Sequence, residues 1–303
     1  QGENSEAFFK AIHERKPKSS EIIFSEINEI ATPEIFENFF IKPTEKNIVV
    51  DIPLTPDFAT CESCDTELFD EKNPRYFYPF TTCTQCGPRY SITKKFPFER
   101  ENTAIEVFKM CPNCLAEYKN PDDVRFNSQT NSCPNCGIQI WLKDNLGNEF
   151  KGSNKEIFEK LAEELSKGKI IALKNIGGYL LMCDATNSEA VSELRKRKRR
   201  PTKPFAVLFS GISTMQDYLE ISELQIQHFK SSESPIIVTK IKDEKDLAID
   251  EISSNMNTIG AMFPYSGTLK LIAKTFGKPL IATSGNFHGS PICSTAEEAE
   301  QNF

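Results

Sequence analysis

The chain has 303 residues, a formal net charge of −7, 39% hydrophobic residues and 26% charged ones. These are ordinary proportions for a folded globular protein with room for two or three domains. The acidic balance argues against global affinity for nucleic acid, and no apolar run approaches the roughly 18 residues that a membrane helix needs. Ten cysteines in a chain of this length, with no signal peptide in front, do not read as a secreted disulfide scaffold; they point to a reducing, cytoplasmic interior.

Residues 4–16 read as a helix capped by Asn4 or Ser5, with Glu6 in the first turn and Phe8, Phe9 and Ile12 as a narrow apolar stripe. Two strand candidates follow, Glu21–Ile30 and Phe36–Ile41, the second bounded by Pro43. One helix and two strands make too little core to stand alone. Residues 1–50 resemble the closing third of an acylphosphatase-like, ferredoxin-like α+β domain whose anion-binding Gly/Arg loop would lie upstream. The segment is therefore expected to be a structural appendage. The chain opens at Gln1 without a methionine and closes in polar sequence at Phe303, as a piece of a longer protein would.

Residues 51–150 are organised by four Cys-x-x-Cys pairs: Cys61/Cys64, Cys83/Cys86, Cys111/Cys114 and Cys133/Cys136. Eighteen residues separate the pairs within each half and twenty-four separate the halves, so the pattern is a repeated unit. A Cys-x-x-Cys turn puts two thiolates on one side of a tight loop, and two such turns supply the four soft ligands of tetrahedral Zn²⁺. The expected sites are Cys61/Cys64/Cys83/Cys86 and Cys111/Cys114/Cys133/Cys136, with Gly87 and Gly137 easing the second loop of each. Such closed sites support folding and do no chemistry. The aromatics between them, Tyr76 to Phe80, Phe96, Phe98 and Phe126, are expected to pack around the metal-bound loops. Base stacking is the alternative, disfavoured by the mixed local charge.

From 151 onward the pattern changes. Ser153 or Asn154 caps a helix whose Ile157, Phe158, Leu161 and Leu165 keep a 3.6 period, and Gly168 stops it. Strands are expected at Lys169–Lys174, Phe205–Phe209, Ile236–Lys240, Thr258–Met262 and Leu280–Thr283, and helices at 188–198, Met215–Glu220 and Glu223–Lys230. This alternation implies a twisted α/β domain over 151–303.

Seven basic side chains fall within Arg195–Pro204. Joining a helix end to a buried strand, this run is either a phosphate cradle, with Arg gripping two oxygens and Lys acting as a point charge, or an electrostatic surface. Thr283-Ser284-Gly285-Asn286 follows an apolar strand, where α/β sheets tend to bind ligands, and Gly177-Gly178 would let a ligand approach the backbone. Ser234-Pro235 and Pro264-Tyr265-Ser266 are comparable positions that read as turns when taken singly. His13, His228 and His288 have no metal spacing, and Cys183 and Cys293 read as small buried residues.

From Pro53 to Ile292 the residues resemble a known family, the HypF-type carbamoyltransferases of hydrogenase maturation. The match includes the cysteine spacing, Tyr78-Pro79-Phe80-x-x-Cys83-x-x-Cys86-Gly87-Pro88-Arg89, Met110-Cys111-Pro112-x-Cys114 and Gly177-Gly178-Tyr179. It continues through Cys183-Asp184-Ala185, Arg197-Lys198-x-Arg200-Pro201-x-Lys203-Pro204-Phe205 and Thr283-Ser284-Gly285-Asn286. The implied architecture is multidomain, α/β and α+β. A partial acylphosphatase-like segment leads to two zinc-finger units, each with four cysteine ligands, and then to a YrdC-like twisted domain.

The resemblance further implies that the YrdC-like part uses ATP with Mg²⁺ and carbamoyl phosphate to make carbamoyladenylate. A missing final domain would pass the carbamoyl group to the C-terminal cysteine of an acceptor maturation protein, towards the cyanide ligands of a nickel–iron hydrogenase. It assigns Arg197, Lys198, Arg200 and Lys203 to phosphates, Ser234, Thr283, Ser284 and Asn286 to the nucleotide, and Gly177 and Gly178 to the pocket floor. Asn127, Leu180 and the segment Ser266–Lys270 stand where the family carries histidines. By itself the stretch is expected to bind nucleotide weakly and to transfer nothing. A zinc-containing RNA-binding or scaffold module is the alternative.

Overall fold

Helix α1 (Ser5–Arg15) carries Glu6 in its first turn and His13 and Arg15 in its last, each charge favoured by the dipole at its own end. A computed structural model describes residues 4–16, 20, 22–28, 55–287 and 289–303. The chain divides into two compact units, Gln1–Leu54 and Thr55–Phe303. In the first, no residue of α1 is buried, and Phe9 packs on the His13 ring, whose Nε2 meets Ser25 Oγ at 2.9 Å. Residues 22–28, expected as part of a strand, are not one: they are largely exposed and have no ladder partner among the described residues. Apolar alternation makes a strand only beside another edge. The other expected strand, Phe36–Ile41, lies outside the described residues.

The second unit opens with the fingers. Helices α2 (Glu62–Phe69) and α3 (Pro112–Lys119) begin on cysteines, with Cys61 and Cys111 as N-caps. The turn 144–148 closes a small hairpin, β1 (Leu142–Lys143) with β2 (Glu149–Phe150), and Asp144 accepts hydrogen bonds from the Leu146 and Asn148 amides. Helix α4 (Asn154–Ser166) starts at a full capping box between Ser153 and Glu156 and buries Ile157, Phe158, Leu161 and Leu165. Gly168 then supplies the left-handed φ of 75° that ends it.

The remaining elements in chain order are β3 (Ile171–Asn175), β4 (Gly178–Asp184), α5 (Ser188–Arg197), β5 (Ala206–Leu208), α6 (Ile212–Tyr218), β6 (Leu219–Glu220) and α7 (Glu223–Phe229). They continue with β7 (Ile237–Ile241), α8 (Ile249–Ser253), β8 (Thr258–Met262), α9 (Gly267–Phe276), β9 (Leu280–Ser284) and α10 (Ala296–Asn302). Strands β3 to β9 form one mixed sheet ordered β3-β4-β9-β5-β8-β7-β6. Among its described pairs β5–β8 runs parallel and the others antiparallel. Glu220 was expected at the end of a helix; instead Leu219 and Glu220 pair with Ile241 and Lys240.

Period-two alternation splits the core into two layers. Leu181, Cys183, Val207, Ile259, Ala261 and Ile281 face a cluster with Val191, Leu194, Met215, Phe229 and Ile252 of the helices. Met182, Leu208, Met262, Leu280 and Ala282 face the other way, against Phe158 and Leu161 of α4 and Leu269 and Ile272 of α9.

The fingers close this second layer. Leu68 of α2 is fully buried within it, and the Phe77 ring lies 6.2 Å from that of Phe158. Polar contacts fix the seam. Lys270 of α9 pairs with Asp65 and donates to the Thr60 carbonyl at 3.3 Å. Gly267 sits so close to Pro79 that a Cβ there would lie 2.3 Å from the Pro79 carbonyl oxygen.

Candidate functional site

The structure gathers the eight paired cysteines into two groups of four, Cys61/Cys64/Cys83/Cys86 and Cys111/Cys114/Cys133/Cys136, with no histidine or carboxylate among the donors. Sulfur–sulfur separations are 3.6 Å for Cys61–Cys83, 3.8 Å for Cys83–Cys86 and 3.6 Å for Cys64–Cys86. In the second group Cys111–Cys133, Cys133–Cys136 and Cys114–Cys136 are each 3.7 Å apart. A disulfide would bring sulfurs to about 2.05 Å. A tetrahedron with metal–sulfur bonds of about 2.3 Å has edges of about 3.8 Å. The donor sets therefore fit tetrahedral Zn²⁺, with four sulfurs and no open position. Of the surrounding aromatics, Tyr78 is fully buried, whereas Phe96 is 37% exposed and packs only in part.

A second constellation lies where β9 ends. Lys198, at the C-cap of α5, is 1% exposed. Its Nζ donates to the carbonyls of Ser284 and Asn286, the latter at 2.8 Å, and to Asn286 Oδ1 at 3.2 Å. Ser284 Oγ donates to the same Asn286 oxygen at 2.6 Å. Burial, aided by the Arg200 charge, pushes the Lys198 amine down to about 8. Thr283 and Ser284 are set by the β4 ladder, opposite Leu181 and Leu180.

Three backbone bonds lock the neighbouring turns: Gly285 N to Tyr179 O, Tyr179 N to Cys293 O, and Cys293 N to Gly285 O, at 2.7–2.9 Å. Gly178, at φ 146°, lies against Cys293, whose carbonyl oxygen would be 2.9 Å from a Cβ. Gly177, at φ 82°, faces open space.

Not all of the basic run joins this group. Arg200 donates from Nε to Lys203 O at 3.0 Å and also binds Pro204 O, while its guanidinium lies 4.9 Å from the Phe205 ring centroid. Arg195 likewise holds carbonyls of Arg200, Glu251 and Ile252. Arg197 pairs with Glu193 on the surface, Arg199 covers the Phe287 ring, and Lys203 is exposed. Two of the run's seven cations, Arg195 and Arg200, thus cap carbonyls of the Arg200–Pro204 loop. Ser234 stands apart, at φ 42° with its hydroxyl on the Phe263 carbonyl at 3.3 Å.

One buried network escaped the sequence. Asn175, at the end of β3, donates to Tyr265 Oη at 3.1 Å and accepts from Ser266 Oγ at 3.0 Å. Ser266 in turn N-caps α9. No local pattern marks Asn175, and Tyr265-Ser266 read only as a turn. Beside this network lies a cavity of about 270 Å³ lined by Ile176, Ser232, Glu233 and Tyr265 and, from the finger side, Asp57, Phe58, Ala59 and Ser91.

A family model described as the HypF finger matches residues 60–93 and 110–143, and the Sua5/YciO/YrdC model, described as telomere recombination, matches 163–303. The chain is 34% identical over 296 residues to a carbamoyltransferase HypF of Rhodobacter capsulatus, covering 98% of this chain and 39% of that relative. A crystal structure of full-length HypF in the phosphate- and nucleotide-bound form matches with a TM-score of 0.85 at 36% identity, over 98% of this chain and 38% of that one. Over 149 residues, 48% of this chain and 80% of the relative, it is 28% identical to a threonylcarbamoyl-AMP synthase of Vibrio parahaemolyticus. The chain spans under two fifths of the length of the HypF relative.

Proposed function

Because the chain belongs to the HypF family, we propose that it is the finger-bearing, adenylate-forming portion of a carbamoyltransferase acting in hydrogenase maturation. The observation that carries this is the Lys198–Ser284–Asn286 cluster, a buried cation and two hydrogen-bonding side chains at the carboxyl end of β9. Similarity to an enzyme named for making an acyl-AMP supports the same reaction class. Water first cleaves carbamoyl phosphate, its phosphate leaving as inorganic phosphate, and an oxygen of the carbamate so released attacks the α-phosphorus of ATP. The bond from that phosphorus to the bridging oxygen breaks, and pyrophosphate leaves with the electron pair.

In this reading Lys198 offsets the charge that grows on the leaving pyrophosphate, Arg200 adds positive field from the neighbouring loop where carbonyls hold it, and Arg197 and Lys203 lie nearer solvent. Thr283, Ser284 and Asn286 orient the nucleotide and Gly177 gives it room, whereas Gly178 packs against Cys293 and Ser234 lies apart on the Phe263 carbonyl. Magnesium neutralises the phosphates when bound. Each cysteine group holds one structural Zn²⁺. The carbamoyl group then passes, in the remainder of the longer protein, to a cysteine of an acceptor protein.

The test is carbamoyl-phosphate-dependent exchange of pyrophosphate into ATP, measured on protein of the relatives' full length. Lys198→Ala is expected to lower exchange by about 10²-fold, the scale of losing one preorganised charge partner. Exchange unchanged in that variant sinks the assignment. Salt-dependent RNA binding without ATP competition, together with absent exchange, supports the RNA-binding module instead.

A further inference from the structure

The two fingers are copies of one unit set fifty residues apart. Cys61, Cys64, Cys83 and Cys86 recur as Cys111, Cys114, Cys133 and Cys136, and Glu67, Arg75 and Thr82 correspond to Glu117, Arg125 and Ser132. The backbone repeats as well: Phe77 and its counterpart Asn127 both adopt left-handed conformations, with φ of 52° and 56°.

Yet the arginines do not serve their own halves. Arg75 donates from Nη1 and Nη2 to the Glu117 carboxylate at 2.9 and 2.5 Å, and from Nε to the Ser132 carbonyl at 2.9 Å. Its Nη2 also reaches Asn131 Oδ1 at 3.1 Å and Cys114 Sγ at 3.6 Å. Arg125 returns the contact, donating from Nη2 to Glu67 at 2.5 Å and from Nε to the Thr82 carbonyl at 3.0 Å. Both arginine side chains are buried, at 3% and 4% exposed.

The targets are the two arms of the other finger's cage. Glu67 and Glu117 lie three residues after Cys64 and Cys114 on α2 and α3, the spacing that shares a helix face. Thr82 and Ser132 immediately precede Cys83 and Cys133. An arginine holding both carboxylate and carbonyl therefore fixes the separation between a finger's two Cys-x-x-Cys turns. Bidentate geometry gives this direction as well as strength.

We propose that Arg75 and Arg125 are positioning residues exchanged between the two metal centres, each holding the ligand turns of the other finger, so that neither centre is complete without both halves. The inference rests on the reading of the cysteine groups as metal sites. It differs from a general stabilising role because its effect crosses over: damage to Arg75 is felt first at Cys111, Cys114, Cys133 and Cys136.

The test challenges the full chain with excess chelator and maps cysteine alkylation by peptide mass. Fewer than two metal ions per unaltered chain defeats the metal reading and the clasp with it. With two ions bound, Arg75→Gln is expected to expose the second group at least about tenfold faster than the first, the scale of losing a partner that orients a ligand. Arg125→Gln gives the mirror image. Glu117→Gln, which keeps the side chain's shape, repeats the first pattern if Arg75→Gln does not fold, and Arg75→Lys restores part of the protection. Equal exposure of both groups, or, in either arginine variant, earlier exposure of the cysteines of the arginine's own finger, overturns the clasp.

Discussion

Lys198 shows how a residue's environment separates what its type suggests from what it does. An ammonium with three donors finds three acceptors on the Ser284–Asn286 turn, so its first effect is to shape that turn. In the proposed reading, an entering polyphosphate would meet a cation already desolvated. With the amine pushed down to about 8 by burial and by Arg200, the group is positive at neutral pH and loses its charge as pH rises through that value. Nucleotide affinity is therefore expected to fall between about pH 7 and about pH 10, and Lys198→Met to flatten the profile. Calorimetric titration at the two pH values decides it; an identical slope in the variant refutes the assignment. The linkage sign for stability is the opposite. The folded value lies below the ordinary lysine value of 10.5, so between them the unfolded chain binds more protons and this group's contribution rises with pH. Close by, Gly285 has no room for a side chain: a Cβ would sit 2.8 Å from Tyr179 Cβ and 2.9 Å from its carbonyl oxygen. Gly285→Ala is expected to cost about 1–3 kcal/mol through overpacking, read as a lower denaturant midpoint. An unchanged midpoint means that the three-bond lock relaxes freely.

At the level of elements, the informative contact is between α9 and the first finger. Lys270 belongs to the Ser266–Lys270 segment, which by the resemblance departs from the family pattern of histidine there, and it reaches out of the sheet domain to Asp65 and the Thr60 carbonyl. The side chains are 11% and 28% exposed. Lys270→Met leaves a half-buried carboxylate without its cation and is expected to cost about 3 kcal/mol, the low end for breaking a buried pair. The Asp65→Asn/Lys270→Met double variant recovers most of that loss. Chemical denaturation of the parent chain, the two single variants and the double variant tests this; additive losses would show that the pair is not coupled. Such a contact is illegible in sequence because it joins residues 205 apart. The elements themselves were unevenly legible. Helix α4 could be read because its capping box and its four buried positions are local signals. Strand β8 lies where expected, at Thr258–Met262. Strand β4 was hidden behind Gly177-Gly178, which reads as a turn, and α9 behind Gly267 in its first turn. The basic run is legible as a run of charge but its arrangement is not, since Arg195 and Arg200 are aimed by carbonyls that only tertiary folding brings near.

Taken as a whole, the second unit has two helical layers, of which the fingers complete only one. The α5 and α8 side packs helix against sheet within residues 151–303. The α4 and α9 side is completed from outside: Leu68 is fully buried there, Phe77 meets Phe158, and Pro79 presses on Gly267. Small cysteine-rich units bury too little apolar surface to hold shape alone, so their metal supplies folding free energy. Loss of metal should therefore not unfold the sheet uniformly. It should uncover one face, by releasing α2 and the Tyr76–Phe80 segment from α4 and α9. The expected outcome of chelation is faster amide exchange in α4 and α9, with exchange in α5 and α8 nearly unchanged, read by hydrogen-exchange mass spectrometry on the full chain. Lys270→Met should reproduce part of that one-sided pattern with both metals still bound, because it loosens the same seam from the sheet side. Exchange that rises equally on both faces would mean that the fingers stabilise the domain globally. Exchange that changes on neither would mean that the seam survives without metal, and that its apolar contacts alone hold the fingers against α9.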